Sequence, residues 1–265
     1  MPMPHTITPA QLMRQIGLPD APQLLDLRVP DDIAADPCVI PTSQIHAYSA
    51  PLPNAARSVL ICHRGAKLSQ GVAALMRARG QVAEVLEGGM LAWRAAGLPV
   101  TQMASRPKQS LWVTRARPKI DRIACPWLVQ RFVDPNAEFL FVPASDVLDV
   151  AQRFDAIPFD IEGVAFSHRG EGCSFDAMLD DFDLDFPALR RLALVVRAAD
   201  TNRHDLSPQA AGLLALSVGL SRQYRDDNQQ LLAAMALYDA LYRWARDGVD
   251  EGHDWPSAAQ KAGVE

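Results

Sequence analysis

The segment Ser58-Val59-Leu60-Ile61-Cys62 constrains the chain most: an apolar run too short for a helix, followed at once by the polar loop His63-Arg64-Gly65-Ala66-Lys67. Continuous apolarity, rather than alternation, predicts a strand covered on both faces, which is the condition of a parallel sheet flanked by helices. Residues 24–28 repeat the pattern and residues 82–86 supply a third strand. Helical patterns over residues 9–16, 68–79 and 90–96 alternate with these strands, and Gly80, Gly88, Gly89 and Gly97 punctuate the ends. The first hundred residues therefore read as an α/β unit with a central parallel sheet.

Residues 101–109 are polar, contain Pro107 and lack apolar periodicity, which predicts a linker and divides the chain into residues 1–105 and 106–265. Beyond it, strands are expected at residues 111–114, 138–142 and 163–167. Helices are expected at 186–199, 208–220 and 229–244, where apolar residues recur every three or four positions. The second part reads as α+β and mostly helical. A length of 265 residues suits two domains. The net charge of −5 divides into +1 over residues 1–105 and −6 over residues 106–265, which argues against nonspecific binding to nucleic acid. No apolar run approaches the roughly 18–20 residues that span a bilayer, and Met1-Pro2-Met3-Pro4-His5 lacks a signal-peptide pattern. A cytoplasmic protein with no membrane partner is expected. Four cysteines without a CxxC pair are expected to be thiols. His204 and His253 have no evident partner, and the oligomeric state is not legible.

Cys62 ends a strand, and a helix is expected to open at Leu68. A loop of this length can aim its N–H groups and the helix N-terminus at the sulfur, lowering its pKa, with Arg64 and Lys67 adding charge if they turn inward. The alternative is a buried strand-end cysteine. Four segments, Leu25-Asp26-Leu27-Arg28, Cys62-His63-Arg64-Gly65, Gly88-Gly89-Met90-Leu91-Ala92-Trp93 and Ala96-Gly97-Leu98-Pro99-Val100, together resemble the rhodanese family. That resemblance implies a rhodanese-type α/β domain in which Cys62 takes up a sulfane sulfur as a persulfide. It passes the sulfur to cyanide or to a small-molecule or protein thiol, with no cofactor. It also implies that Asp26 and Arg28 brace the active-site loop and that His63, Arg64, Gly65, Ala66 and Lys67 meet the substrate. Val29 stands where the family carries an acidic residue, and Val39-Ile40-Pro41-Thr42-Ser43 departs from the family's usual segment. The six-residue loop from Cys62 to Lys67 matches sulfurtransferases rather than phosphatases. His63 is either a proton-transfer group or a loop side chain pointing elsewhere.

Arg115, Arg117, Lys119 and Arg122 put four basic residues within eight positions. They suit a tetrahedral dianion, or form a solvated basic face. The run from Thr114 through Asp121-Arg122-Ile123-Ala124-Cys125-Pro126-Trp127-Leu128 resembles the C-terminal domain of the ChrB-type chromate-resistance family. So do Phe132-Val133-Asp134-Pro135, Phe139-Leu140-Phe141-Val142-Pro143, Phe166-Ser167-His168-Arg169-Gly170 and Ser174-Phe175-Asp176. This resemblance runs from about residue 111 to 244 and implies a part in resisting or sensing chromate or oxidative stress, with chromate itself a candidate ligand. Asp121, His168, Asp176 and Asp200 are candidate ligands of an oxygen-rich site with one imidazole, suited to zinc, manganese or iron. Asp200 closes a helix, where a carboxylate faces unfavourable dipole charge and calls for a cation. Each also has a plainer reading: Asp121 paired with Arg122 or Arg117, Asp176 a first-turn acid, Asp200 opening a turn, and His168 structural. Asp121 and Cys125 would share a helix face, Cys173 is a candidate reactive thiol, and Ser174 a candidate N-cap.

Three readings follow. One is a sulfurtransferase working through Cys62, coupled to a domain that binds an oxyanion or metal. The others are a non-catalytic chromate sensor and a metal-dependent hydrolase seated in the second half.

Overall fold

The computed structural model describes residues 5–252, so His253 and the extreme termini lie outside the described residues. In the first part the order is β1 (Thr6–Ile7), α1 (Pro9–Met13), β2 (Gln23–Asp26), α2 (Pro30–Ala35), β3 (Cys38–Val39) and β4 (Gln44–Ile45). There follow β5 (Arg57–Ile61), α3 (Lys67–Ala78), β6 (Val82–Leu86), α4 (Gly89–Ala95) and β7 (Thr101–Gln102). Five strands form one sheet in the order β1-β6-β5-β2-β4, with every pairing parallel. Successive side chains of a strand point to opposite faces. Leu25, Leu27, Leu60 and Cys62 accordingly pack with Val72, Ala73 and Met76 of α3, while Leu24, Val59 and Ile61 join a separate apolar cluster. That alternation puts the Cys62 side chain on the α3 face.

The second part runs β8 (Leu111–Arg115), α5 (Asp121–Leu128), β9 (Glu138–Val142), α6 (Val147–Phe154), β10 (Ile157–Pro158), α7 (Ser174–Asp181), α8 (Pro187–Asp200), α9 (Ala210–Gln223) and α10 (Asp227–Arg243). The central strand β8 pairs parallel with β9 and β10. Val113 packs with Val147 and Ala151 of α6, and Trp112 joins the helical side. The expected strand at residues 163–167 does not form. Asp160 and Gly163 adopt positive φ (52° and 83°), breaking the extended path, and only a Phe159–Phe166 bridge remains. Residues 157–158 take the third place in the sheet. Among the described residues no helix is long and apolar enough to cross a membrane.

The expected linker is instead tied down. Its first residues form β7, which pairs antiparallel with β3 through Val39↔Thr101 and Cys38↔Gln102, and Arg106 Nη1 donates to the Ser43 carbonyl. A division near Ser105 separates the two sheets, but one apolar core runs across both parts. It includes Leu12, Ile16, Trp93, Trp127, Phe132 and Tyr242. Phe132 and Tyr242 meet edge-on, with ring centroids 5.3 Å apart. Gly17, at φ 79°, lies against both: a Cβ there would stand 2.3 Å from Phe132 Cζ and 2.9 Å from Tyr242 Cε1. Polar composition hid the tie at the start of this segment, because Thr101 and Gln102 are held by pairing with a strand about sixty residues earlier.

Asp26 and Arg28 are buried together, joined through Arg28 Nη2 and Asp26 Oδ2 at 2.7 Å with both side chains at most 1% exposed. The remaining Arg28 donors go to the carbonyls of Asp36 (2.9 Å) and Cys38 (2.8 Å). The pair therefore braces the 36–38 segment beside β3, which corrects the expectation that it serves the Cys62 loop as catalytic machinery. Removing the cation would leave Asp26 as a buried, unpaired charge, at a cost of about 3–5 kcal/mol. Arg28→Leu is expected to lower unfolding stability by about that amount in denaturant titration, and Asp26→Asn/Arg28→Leu is expected to recover most of it.

Candidate functional site

Cys62 follows the last residue of β5, and its loop is shaped from behind by glycines. A Cβ on Gly89 would stand 2.1 Å from the Cys62 carbonyl oxygen and 2.5 Å from Gly65 N; one on Gly65 would stand 2.5 Å from the Leu86 carbonyl oxygen. Both residues also hold positive φ, at 60° and 66°. Only glycine permits this approach and this conformation. The N-terminus of α4 can then donate to the loop: Met90 N–H bonds the Cys62 carbonyl (3.0 Å) and Leu91 N–H the His63 carbonyl (3.1 Å). With those carbonyls turned backward, the sulfur meets the main chain of Arg64, Ala66 and Ser69, whose amides favour the thiolate, while the Ala66 carbonyl lies 3.9 Å from it and accepts the Ser69 hydroxyl at 3.1 Å.

Cys62 is 6% exposed, and its Sγ lies 3.0 Å from Ser69 Oγ in the first turn of α3. Burial raises the thiol pKa. The Ser69 hydroxyl and the main chain of Ser69, Ala66 and Arg64 outweigh it, so the net shift is downward. Cys38, Cys125 and Cys173 are also free thiols, but burial drives all three upward. Cys173 is therefore no reactive thiol, contrary to one expectation. The side chains of Arg64 and Lys67 are exposed, so Arg64 acts on the sulfur through its main chain, while His63 Nδ1 lies 4.0 Å from Asp32 Oδ1. Ser69 was missed. Its signal was a serine in the first helical turn after the loop.

The second centre lies where the polypeptide is strained. Ile120, β-branched, holds φ 46°, a conformation costing of order 1–3 kcal/mol. It is pinned by the Ser217 hydroxyl, which accepts its N–H at 2.9 Å, and by the Tyr238 hydroxyl, which donates to its carbonyl at 2.7 Å. The next residue is Asp121, at the start of α5 and 2% exposed. His168 Nε2 stands 3.4 Å from Asp121 Oδ2, 3.3 Å from Asp200 Oδ2 and 3.5 Å from Asp160 Oδ1.

These contacts are too long for good hydrogen bonds, and Asp121 Oδ2 is buried with no hydrogen-bond partner. Ligand atoms around a tetrahedral ion with bonds of roughly 2.0–2.1 Å stand about 3.3–3.4 Å apart, which is close to the spacing here. One atom each of Asp121, His168 and Asp200 lies within 4.8 Å of the other two. The Asp121 carboxylate beside it raises the His168 pKa to about 9, against the effect of burial. Burial, then the Asp121 charge, pushes Asp200 up to about 7. Burial also opposes ionisation of Asp121, but the neighbouring imidazole holds it below the ordinary carboxylate range. Two carboxylates and a neutral imidazole would balance a divalent cation.

Asp176 does not join this set, which is a correction. As the third residue of α7 it accepts the Cys173 N–H at 3.0 Å, and Arg197 Nε lies 3.8 Å away. Cys173, not Ser174, occupies the N-cap position, and the Ser174 hydroxyl instead donates to Asp160 Oδ1 at 2.8 Å. The four basic residues do not converge either. Arg115 Nη2 and Arg122 Nε hold Asp160 at 2.7 and 3.2 Å. Arg117 caps the C-terminal end of α9 through the carbonyls of Ser221 and Tyr224, where exposed carbonyls attract a cation, and Lys119 is exposed. An acid between Phe159 and Ile161 was the available signal for Asp160, and it went unread.

Comparison with known proteins places these centres in context. A protein from Cupriavidus metallidurans described as protein ChrB is 35% identical over 133 residues, which is 49% of this chain and 39% of that protein. The chain thus spans well under half the length of that relative. Among solved structures, a thiosulfate sulfurtransferase from Pseudomonas aeruginosa is 29% identical, covering 37% of this chain and 19% of that one, at a TM-score of 0.31. A rhodanese-related protein from Thermoplasma volcanium is 24% identical, covering 36% of this chain and 96% of that one, at a TM-score of 0.32. The family model for the C-terminal domain of ChrB matches residues 112–245, which takes in Asp121, Asp160, His168 and Asp200. On that match the chain belongs to the ChrB C-terminal domain family.

Proposed function

We propose that the protein is a sulfurtransferase that carries sulfane sulfur on Cys62, joined to a cation-binding half that acts in resistance to chromate or oxidative stress. The observation that carries this reading is the Cys62 sulfur, 3.0 Å from Ser69 Oγ and alone among the four cysteines in having its pKa lowered. The thiolate attacks the outer sulfur of thiosulfate, the S–S bond breaks, and sulfite leaves with the bonding electron pair. Cys62 is left as a persulfide anion, whose negative charge the same loop donors receive. Cyanide or an acceptor thiolate then attacks the outer sulfur and releases the Cys62 thiolate, so charge and atoms balance at each step. Low exposure of Cys62 keeps the loaded sulfur from bulk solvent, and the exposed Arg64, Ala66 and Lys67 form the rim an acceptor meets first.

Asp121, His168 and Asp200 supply the cation site. A bound divalent ion would contribute Lewis acidity there. Asp121 Oδ2, buried and without a hydrogen-bond partner, favours a cation at this centre, while Arg122 is committed to Asp160.

Wild-type protein is expected to turn over thiosulfate and cyanide to thiocyanate and, after thiosulfate alone, to gain the mass of one sulfur atom on the peptide holding Cys62. Cys62→Ala is expected to do neither. A wild type silent in both assays would favour a binding module over an enzyme. Alkylation of Cys62 by iodoacetamide should show a midpoint pH below that of an ordinary thiol. Ser69→Ala removes a donor to the thiolate, so the midpoint should rise, by about one to two pH units for a charge-assisted hydrogen bond, and neutral-pH reactivity should fall.

A further inference from the structure

Beside the second centre lies a cavity of about 320 Å³ whose lining includes Arg115, Asp160, Gly163, Ser167 and His168. Of the three candidate ligands, His168 lines it and Asp121 and Asp200 do not. A tetrahedral cation held by the three would keep a fourth coordination position, and His168 links that cation to the cavity. Asp160 is poorly suited to fill that position, because its oxygens are occupied by the Ser174 hydroxyl, Arg115 and Arg122. What it does is hold the Arg115 guanidinium through Nη2 at 2.7 Å. The Nε of Arg115 is buried and bonds nothing. An arginine whose side chain is 42% exposed and one candidate metal ligand therefore line the same small cavity.

We infer that this cavity seats a small oxyanion, one oxygen on the cation held by Asp121, His168 and Asp200 and another on Arg115. The inference rests on the cation site proposed above. Glu162 also lines the cavity, and Asp160 largely neutralises Arg115, so without the cation the cavity holds no net attraction for an anion. Binding must then be conditional on the metal, and by linkage the anion must tighten the metal by the same factor. The cavity admits a tetrahedral oxyanion or a small carboxylate, so both chemistries are probed.

The experiment uses the full chain. Zinc is titrated calorimetrically into wild type, Asp121→Asn, Arg115→Gln and Arg115→Lys, and sulfate and acetate are then titrated into metal-free and zinc-loaded protein. Arg115→Lys keeps a charge for Asp160 should Arg115→Gln unfold, but lacks the second fork donor. Wild type is expected to bind zinc, and Asp121→Asn to bind it at least about tenfold more weakly. At least one anion is expected to bind zinc-loaded wild type and not the metal-free form. Both Arg115 variants are expected to keep zinc affinity while losing about tenfold or more in that anion's affinity. Zinc binding without anion binding, or anion affinity indifferent to Arg115, overturns this inference and leaves the cation site standing. Failure of zinc to bind, or indifference to Asp121→Asn, overturns both.

Discussion

The first centre depends on one steric fact: the backbone of the Cys62 loop and the N-terminus of α4 touch with no room for a side chain between them. Gly65 and Gly89 make that approach possible. The α4 N–H groups then draw the Cys62 and His63 carbonyls away from the sulfur. A sheet strand delivers the cysteine, a helix behind it turns the carbonyls, and a helix in front contributes Ser69. Charge on Arg64 or Lys67 is not needed, because neutral dipoles fixed by folding already solvate the thiolate. In the proposed reaction, such dipoles would cost no reorganisation on going from thiolate to persulfide.

The second centre is built on the opposite principle. Three carboxylates approach one imidazole inside a family domain whose charge is net negative, and only Asp160 has arginine partners. Keeping Asp121 ionised in a buried position, beside a residue forced to positive φ, is destabilising. Folding tolerates it because Ser217 and Tyr238 clamp Ile120 from α9 and α10. Strain and unsatisfied polarity concentrated at this one point are what the proposed cation site rests on. The apolar core that crosses from Ile16 to Tyr242 holds the two centres in one body.

What could be read from the chain divides along a physical line. The Cys62 loop was legible because its parts are contiguous or repeat a fixed order: apolar strand, short glycine-containing loop, helix, and the Gly88-Gly89 pair. Asp121, His168 and Asp200 were legible as residues with local peculiarities, Asp200 most clearly for its place at a helix end. Asp176 was wrongly grouped with them because a first-turn acid and a ligand look alike until the fold shows which way it bonds. Arg117 was misread for a similar reason, since its partners lie more than a hundred residues away on α9. Ser69 and Asp160 carried little local signal; their roles arise from tertiary placement. Residues 101–109 looked like a linker because polar composition does not reveal the β3–β7 pairing.

A crystal structure of the protein after exposure to thiosulfate, set beside the untreated crystal, tests the central claim most directly. The account predicts added density of one sulfur bonded to Cys62 Sγ and lying among the loop amides with Ser69 at its side. Density that swings out of the loop, or settles on another cysteine while Cys62 stays bare, would contradict it.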